Sequence, residues 1–383
     1  MGHYDEIRPY YDSEVNHVLN GLFTQDIIQK ILLHFYPNAN MDELIGKLSK
    51  ISSINEFQSH IIQPLVKMTI DKSINNFTCK GIENLQKDKS YLFISNHRDI
   101  ILDSALINML LHTNGFGTTE IAIGSNLLIY PWIVDIVKLN RSFVVNRNVP
   151  IKEMYNYSLL LSSYIRYTLL EKRTSIWIAQ REGRTKDGDD RTQPSLLKML
   201  SISGDENIFD NISKLNIVPI SISYEYEPCD IYKTKVAYFA SQEQKYEKTK
   251  GDDIESMRLG IANQKGNVNI TFCTPLIEGE ELNILKKSGS INEGLKELAK
   301  IIDSQIHSNF NLNPNNYIAS DLINDQNTYS QHYTEEEKEK FSDNVNKQIN
   351  LLEIEDKVAL KNIFLKIYEN PLVNYLATKK ITI

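Results

Sequence analysis

The chain has 383 residues, 24% of them charged, with a formal net charge of -7. That length favours two or three lobes over one core, and the acidic balance argues against a general nucleic-acid binder, which needs a basic surface to neutralise phosphates. No stretch approaches the roughly 20 consecutive apolar residues of a spanning helix; the most apolar, Ile121 to Val137, is broken by Gly124, Pro131 and Asp135. The start has no apolar h-region and so does not read as a secretory signal. Cys79, Cys229 and Cys273 are isolated, odd in number and without metal-ligand spacing, which fits a reducing, cytoplasmic setting.

In chain order, Glu14 to Leu22, Thr24 to Phe35, Met41 to Leu48 and Ile54 to Lys72 carry apolar residues at three- and four-residue spacing, with Pro37-Asn-Ala-Asn between the second and third. They predict a small helical lobe over residues 1–80. Short β-branched or aromatic runs then appear at Tyr91 to Ile94, Ile121 to Ile123, Phe143 to Val145, Ser175 to Ala179, Ile217 to Tyr224 and Val268 to Phe272, with a long helical pattern from Val149 to Lys172. This alternation predicts an α/β unit over 81–280, its sheet mostly parallel or mixed and flanked by helices. Residues 240–265 read as a polar loop with a helix, and a C-terminal helical extension is expected over 281–383. Within it, the Asn-rich stretch around 311–330 reads as a linker, and Thr334-Glu-Glu-Glu as an N-cap with an acidic first turn.

The chemistry concentrates where strands empty into helices. The run Leu92-Phe-Ile leads through Asn96-His97-Arg98-Asp99 to Asp103 and a helical pattern. Such junctions face a crevice in open α/β sheets, and an imidazole with a nearby carboxylate has the parts of an oriented general base. Asp99 and Asp103 are both candidates for that carboxylate. Asp103 is favoured, because Asp99 lies where a helix N-cap is expected. From Lys138 to Arg191, eleven Lys and Arg face six Asp and Glu, a cationic stretch suited to a small anion. It contains Leu139-Asn-Arg-Ser-Phe-Val-Val-Asn-Arg147 and Ile176-Trp-Ile-Ala-Gln-Arg-Glu-Gly-Arg-Thr-Lys186. In the second, Gly183 lets backbone approach an anion, while Arg184 and Lys186 can grip phosphate oxygens. A further apolar strand, Ile217-Val-Pro-Ile-Ser-Ile-Ser-Tyr-Glu225, carries Pro219 near its start.

In this order, the four features resemble the glycerol-phosphate acyltransferase superfamily, which includes the lysophosphatidate acyltransferases, over about Leu92 to Glu225. The helical-lobe-plus-core layout and the Trp-Ile-Ala segment also look like the plastid-type soluble glycerol-3-phosphate enzymes. The family's first block is H-x4-D; here Asp103 follows His97 by six residues, one more than usual. The Phe143 to Arg147 spacing is likewise one residue long, and Arg184 stands one residue early against E-G-x-R. The resemblance implies an acyltransferase of phospholipid biosynthesis that moves a fatty acyl group to a hydroxyl of glycerol 3-phosphate or its 1-acyl derivative. It implies His97 and an aspartate as the catalytic pair, substrate contacts from Arg98, Arg147, Glu182, Gly183, Arg184, Lys186 and Pro219, and no bound cofactor. The acyl donor would be acyl-CoA or acyl-carrier protein, and the protein would meet the inner face of the membrane peripherally. His97-Arg-Asp99 imitates a kinase catalytic loop, but Ser104 stands where that loop needs asparagine, and no Asp-Phe-Gly follows. Two alternatives stay open: a metal-dependent hydrolase using His97, Asp99 and Asp103, and a non-catalytic anion- or lipid-binding module.

Overall fold

The computed structural model describes residues 2–204, 207–243, 246, 249–276 and 290–381. At its centre is a seven-stranded sheet in the order β1-β7-β6-β2-β5-β3-β4. The strands are β1 (Ile74–Lys80), β2 (Leu92–Ser95), β3 (Glu120–Gly124), β4 (Ser142–Val145), β5 (Ile176–Ala179), β6 (Ile217–Tyr224) and β7 (Gly266–Phe272). β2 to β6 run parallel. β7 is antiparallel to β6, and β1 is parallel to β7. The sheet is therefore mixed, and the carboxyl ends of five strands share one edge.

Strand alternation divides the core. Leu92, Ile94, Ile176, Ile178 and Ile217 pack on one face against the helices Met154–Leu170, Pro194–Ser201 and Ile291–Ser308. Phe93, Trp177, Val218 and Ile220 point to the other face, onto Leu102, Leu106 and Val66. Each central strand is buried on both sides, as helix-covered parallel sheets require. Pro219 is tolerated there because its carbonyl accepts from Cys273 N (2.9 Å) on the β7 side, so its missing N–H falls where the β6–β7 ladder ends.

Three elements differ from the sequence reading. β1 replaces the expected tail of the helical lobe: its residues are mostly exposed, so no core pattern marks it, and its pairing comes from distant β7 (Ile74 with Gly266). The single helix expected from Ile54 to Lys72 is opened by a π turn at Gln58–Ile62; Pro64 follows at the next helix start, where it lacks an N–H and crowds the preceding turn. The expected linker contains the helix Pro314–Asn324, whose N-cap Asn313 forms a capping box with Asn316. Its asparagines are structural: Asn315 Nδ2 donates to Glu225 O, and Asn316 Nδ2 to Tyr368 O, both at 2.8 Å.

The lobe boundaries shift accordingly. The sheet begins at Ile74, inside the expected N-terminal lobe, and Ile291–Ser308 buries Leu295, Leu298, Ile302 and Ile306 in the sheet core. The expected boundary at 280 lies outside the described residues. The last helices, Glu335–Asn350 and Lys357–Ile381, close a further core around Phe341, Phe364 and Tyr368. Among the described residues, no helix is long and apolar enough to cross a membrane.

Candidate active site

β2 ends at Ser95, but its ladder is continued by a side chain. Asn96 Nδ2 donates to Ile222 O and Asn96 Oδ1 accepts from Ile222 N, both at 2.8 Å. This fixes the path of the chain into the turn that carries His97. His97 Nδ1 lies 2.8 Å from Asp103 Oδ2, and Asp103 stands in the first turn of the helix Leu102–Thr113. The same oxygen accepts from the backbone N–H of Arg98 (2.6 Å) and Asp99 (3.0 Å), while Oδ1 accepts from Tyr224 Oη (2.8 Å). Burial opposes the ionised Asp103, but His97 and these backbone donors outweigh it and hold the carboxyl below its usual range. Burial and the Asp103 carboxylate push the Tyr224 phenol far up, so it remains a donor.

Of the two candidate aspartates, Asp103 therefore bonds the imidazole. Asp99 caps the helix: its Oδ1 accepts from Ile101 N (2.8 Å) and Leu102 N (2.7 Å). Trp177 meets the His97 ring edge-on at 5.5 Å between centroids and is itself held by a bond from Nε1 to Ser95 Oγ (3.0 Å).

His97 borders a cavity of about 1180 Å³, larger than most small-ligand pockets, which fall at ~300–1,000 Å³. One part of its wall is apolar, drawn from the N-terminal lobe (Ile27, Ile31, Phe35, Leu65) and from Trp132 and Ile133. The polar part gathers Arg147, Arg181, Arg184, Lys186 and Arg258 against two carboxylates, Glu182 and Asp253. Arg147, which follows β4, pairs with Glu182, which follows β5, at 2.7 Å, so the second and third sequence features meet. Gly183 turns the chain beside them with φ +69°. Arg184 is buried, donates to Ser256 Oγ at 2.9 Å, and stands 5.8 Å from the Tyr232 ring centroid, as does the Lys186 ammonium.

Two expected substrate contacts lie elsewhere. Arg98 is sealed away from the cavity, bonded to Asp190 (2.6 Å) and Glu227 (3.3 Å), because the turn that aims His97 at the cavity sends the next side chain in another direction. Pro219 sits within the sheet and does not line the cavity. Among the described residues, no group of three or more His, Cys, Asp or Glu is arranged to hold a metal. His97, Asp99 and Asp103 are engaged in the imidazole bond and the helix cap.

Sequence reasoning missed Tyr224, Arg181 and Ser256. Tyr224 and Arg181 had a usable signal, since each lies at the carboxyl end of a parallel strand. Ser256 belongs to the helix Lys250–Ala262, which sequence does not tie to the site.

Residues 76–223 match the family model described as Acyltransferase. No curated protein matches. Among solved structures, the chain is similar to the 1-acyl-sn-glycerophosphate (LPA) acyltransferase PlsC from Thermotoga maritima, at 14% identity and a TM-score of 0.37, covering 75% of this chain and 93% of that one.

Proposed function

With residues 76–223 an acyltransferase-family domain, we propose that the protein transfers a fatty acyl group from a thioester donor to a hydroxyl of glycerol 3-phosphate or its 1-acyl derivative. The observation that carries this reading is the His97–Asp103 pair set beside one cavity with an apolar wall and a cationic one. Asp103 fixes the proton on Nδ1, so Nε2 is the nitrogen left to take the acceptor's hydroxyl proton. The alkoxide attacks the thioester carbonyl, the tetrahedral intermediate expels the thiolate, and the imidazolium returns its proton to the sulfur.

The oxyanion needs a donor, and the turn has few to spare. The N–H groups of Arg98 and Asp99 are engaged by Asp103, and those of Ile101 and Leu102 by Asp99. The donor proposed here is the N–H of Ile100, which lines the cavity. Arg147, Arg184 and Lys186 anchor the acceptor phosphate, which holds its hydroxyl near His97. The apolar wall takes the acyl chain. Acyl-CoA and acyl-carrier protein both supply the required thioester, and an acylated product would bring the protein to a membrane surface.

The test offers purified protein a labelled palmitoyl thioester with glycerol 3-phosphate and lysophosphatidate in equal amounts, and identifies products by mass. A monoacyl or diacyl phosphate is expected from the wild type and none from His97→Ala. Near-wild-type turnover by that variant would remove His97 from the mechanism.

A further inference from the structure

The loop that carries Arg184 and Lys186 runs without regular structure from the end of β5 to the helix Pro194–Ser201. An anion site built on such a loop is only as good as what holds it, since displacements of about 1 Å matter at a positioning site. Part of the support is internal: Asp187 Oδ1 accepts from Thr185 Oγ1 (2.9 Å) and from Asp189 N (3.1 Å). Buried Arg98 donates to Asp190 Oδ2 (2.6 Å), and His307 Nε2 bonds Asp190 O (2.7 Å). Further support comes from the C-terminal helix Lys357–Ile381, far outside the segment 76–223.

That helix contains Pro371, which has no N–H to offer the carbonyl four residues back, that of Ile367. Gly188 fills the place beside the Ile367 carbonyl: with φ +80°, any Cβ on it would stand 2.3 Å from Ile367 O. On either side of this contact, Asn370 Nδ2 donates to Asp187 O (2.8 Å), and Asn374 Nδ2 donates to Asp189 Oδ1 (3.0 Å). Arg191 completes the attachment with a bond to Asn374 Oδ1 (2.7 Å). All of these fall between Asp187 and Arg191, starting one residue after Lys186.

We propose that Asn370 and Asn374 are positioning residues for the acceptor's phosphate, holding the Arg184–Lys186 loop through its far end. This inference rests on the reading of Arg184 and Lys186 as the phosphate anchors. The helix is then a working part of the acceptor site and not only a cap on the C-terminal core.

The test compares wild type, the double variant Asn370→Ala/Asn374→Ala, Gly188→Ala and Arg184→Ala. Each is titrated calorimetrically with glycerol 3-phosphate, assayed for the KM of acceptor and donor, and melted. The double variant is expected to weaken glycerol 3-phosphate binding and raise the acceptor KM about tenfold, with donor KM and kcat within about twofold. Gly188→Ala should shift the same two quantities further, provided it folds; the asparagine pair decides the matter alone if it does not. A lowered melting midpoint with acceptor binding and KM unchanged would overturn the proposal, as would loss of kcat alone. Wild-type binding by Arg184→Ala, or no binding by the wild type, would instead overturn the phosphate assignment beneath it.

Discussion

His97 and Arg98 are adjacent in the chain, yet one side chain borders a large cavity and the other is sealed within the protein. Around Arg98 the charges balance: two cations, Arg98 and Lys233, meet two carboxylates, Asp190 and Glu227, and all four residues are buried. Around the cavity they do not, with five Lys or Arg among the lining residues against two carboxylates. A buried cluster of balanced charge calls for no further ion. A cationic excess on the wall of a cavity is what an anionic substrate would complete. Under the proposed function, the difference separates a group that holds the turn in place from a group placed to react.

The comparison can be broken at each end. The largest effect is expected at Asp103. Asp103→Asn keeps the shape, its Oδ1 still able to accept from the turn, but it loses the charge that stabilises the imidazolium, so kcat should fall on the order of a thousandfold. Steady-state kinetics beside a melting curve would check this, and a variant with full turnover would leave the pair without a catalytic role. Next, Arg98→Ala strands Asp190 and Glu227 in the interior and should cost about 3–5 kcal/mol of stability, measured by denaturant unfolding. Its folded fraction should keep a near-normal kcat, because the Arg98 N–H that holds Asp103 is backbone. Its acceptor KM should rise, because the lost guanidinium also holds Gly188 O and Asp190 in the loop that carries Arg184 and Lys186. Unchanged stability together with a fall in kcat would return Arg98 to the active site.

The smallest effect is one of pH. Asp230, beyond the sealed cluster, accepts from Tyr368 Oη at 2.7 Å, and burial pushes its carboxyl up from 3.8 to about 7. Between those values the native protein keeps a proton that the unfolded chain has released. Its contribution to stability therefore declines as pH rises through that window and is level above it. Asp230→Asn should flatten the decline, visible as a few degrees in Tm on the alkaline side. An unchanged pH profile of Tm would show that Asp230 ionises normally in the folded state.

Much of the central fold was legible because buried strands announce themselves. β2 and β5 are short apolar runs, β6 is a longer one broken by Ser221 and Ser223, and each lies within two residues of its expected bounds. β1 was illegible for the opposite reason, since an edge strand with polar, exposed residues carries no core pattern of its own. The asparagines at 311–316 have a loop-like composition, but their amides bond to Glu225, Tyr368 and their own helix cap, partners set by tertiary structure. At the site, sequence brings His97 near two aspartates and leaves the choice to turn geometry. It could not separate His97 from Arg98, because the directions of successive side chains in a turn depend on dihedral angles and not on residue type.

The position of β7 bears on how the chain comes off the ribosome. β1 and β6 both lie inside residues 76–223 apart from their outermost residues, but the strand between them in the sheet is β7, at Gly266–Phe272. Until that segment emerges, β1 has no partner and one edge of β6 stands open, an invitation to pair with another chain. A gene fragment trimmed to the matched segment would carry both defects permanently, so an expression boundary for this protein belongs well past Phe272.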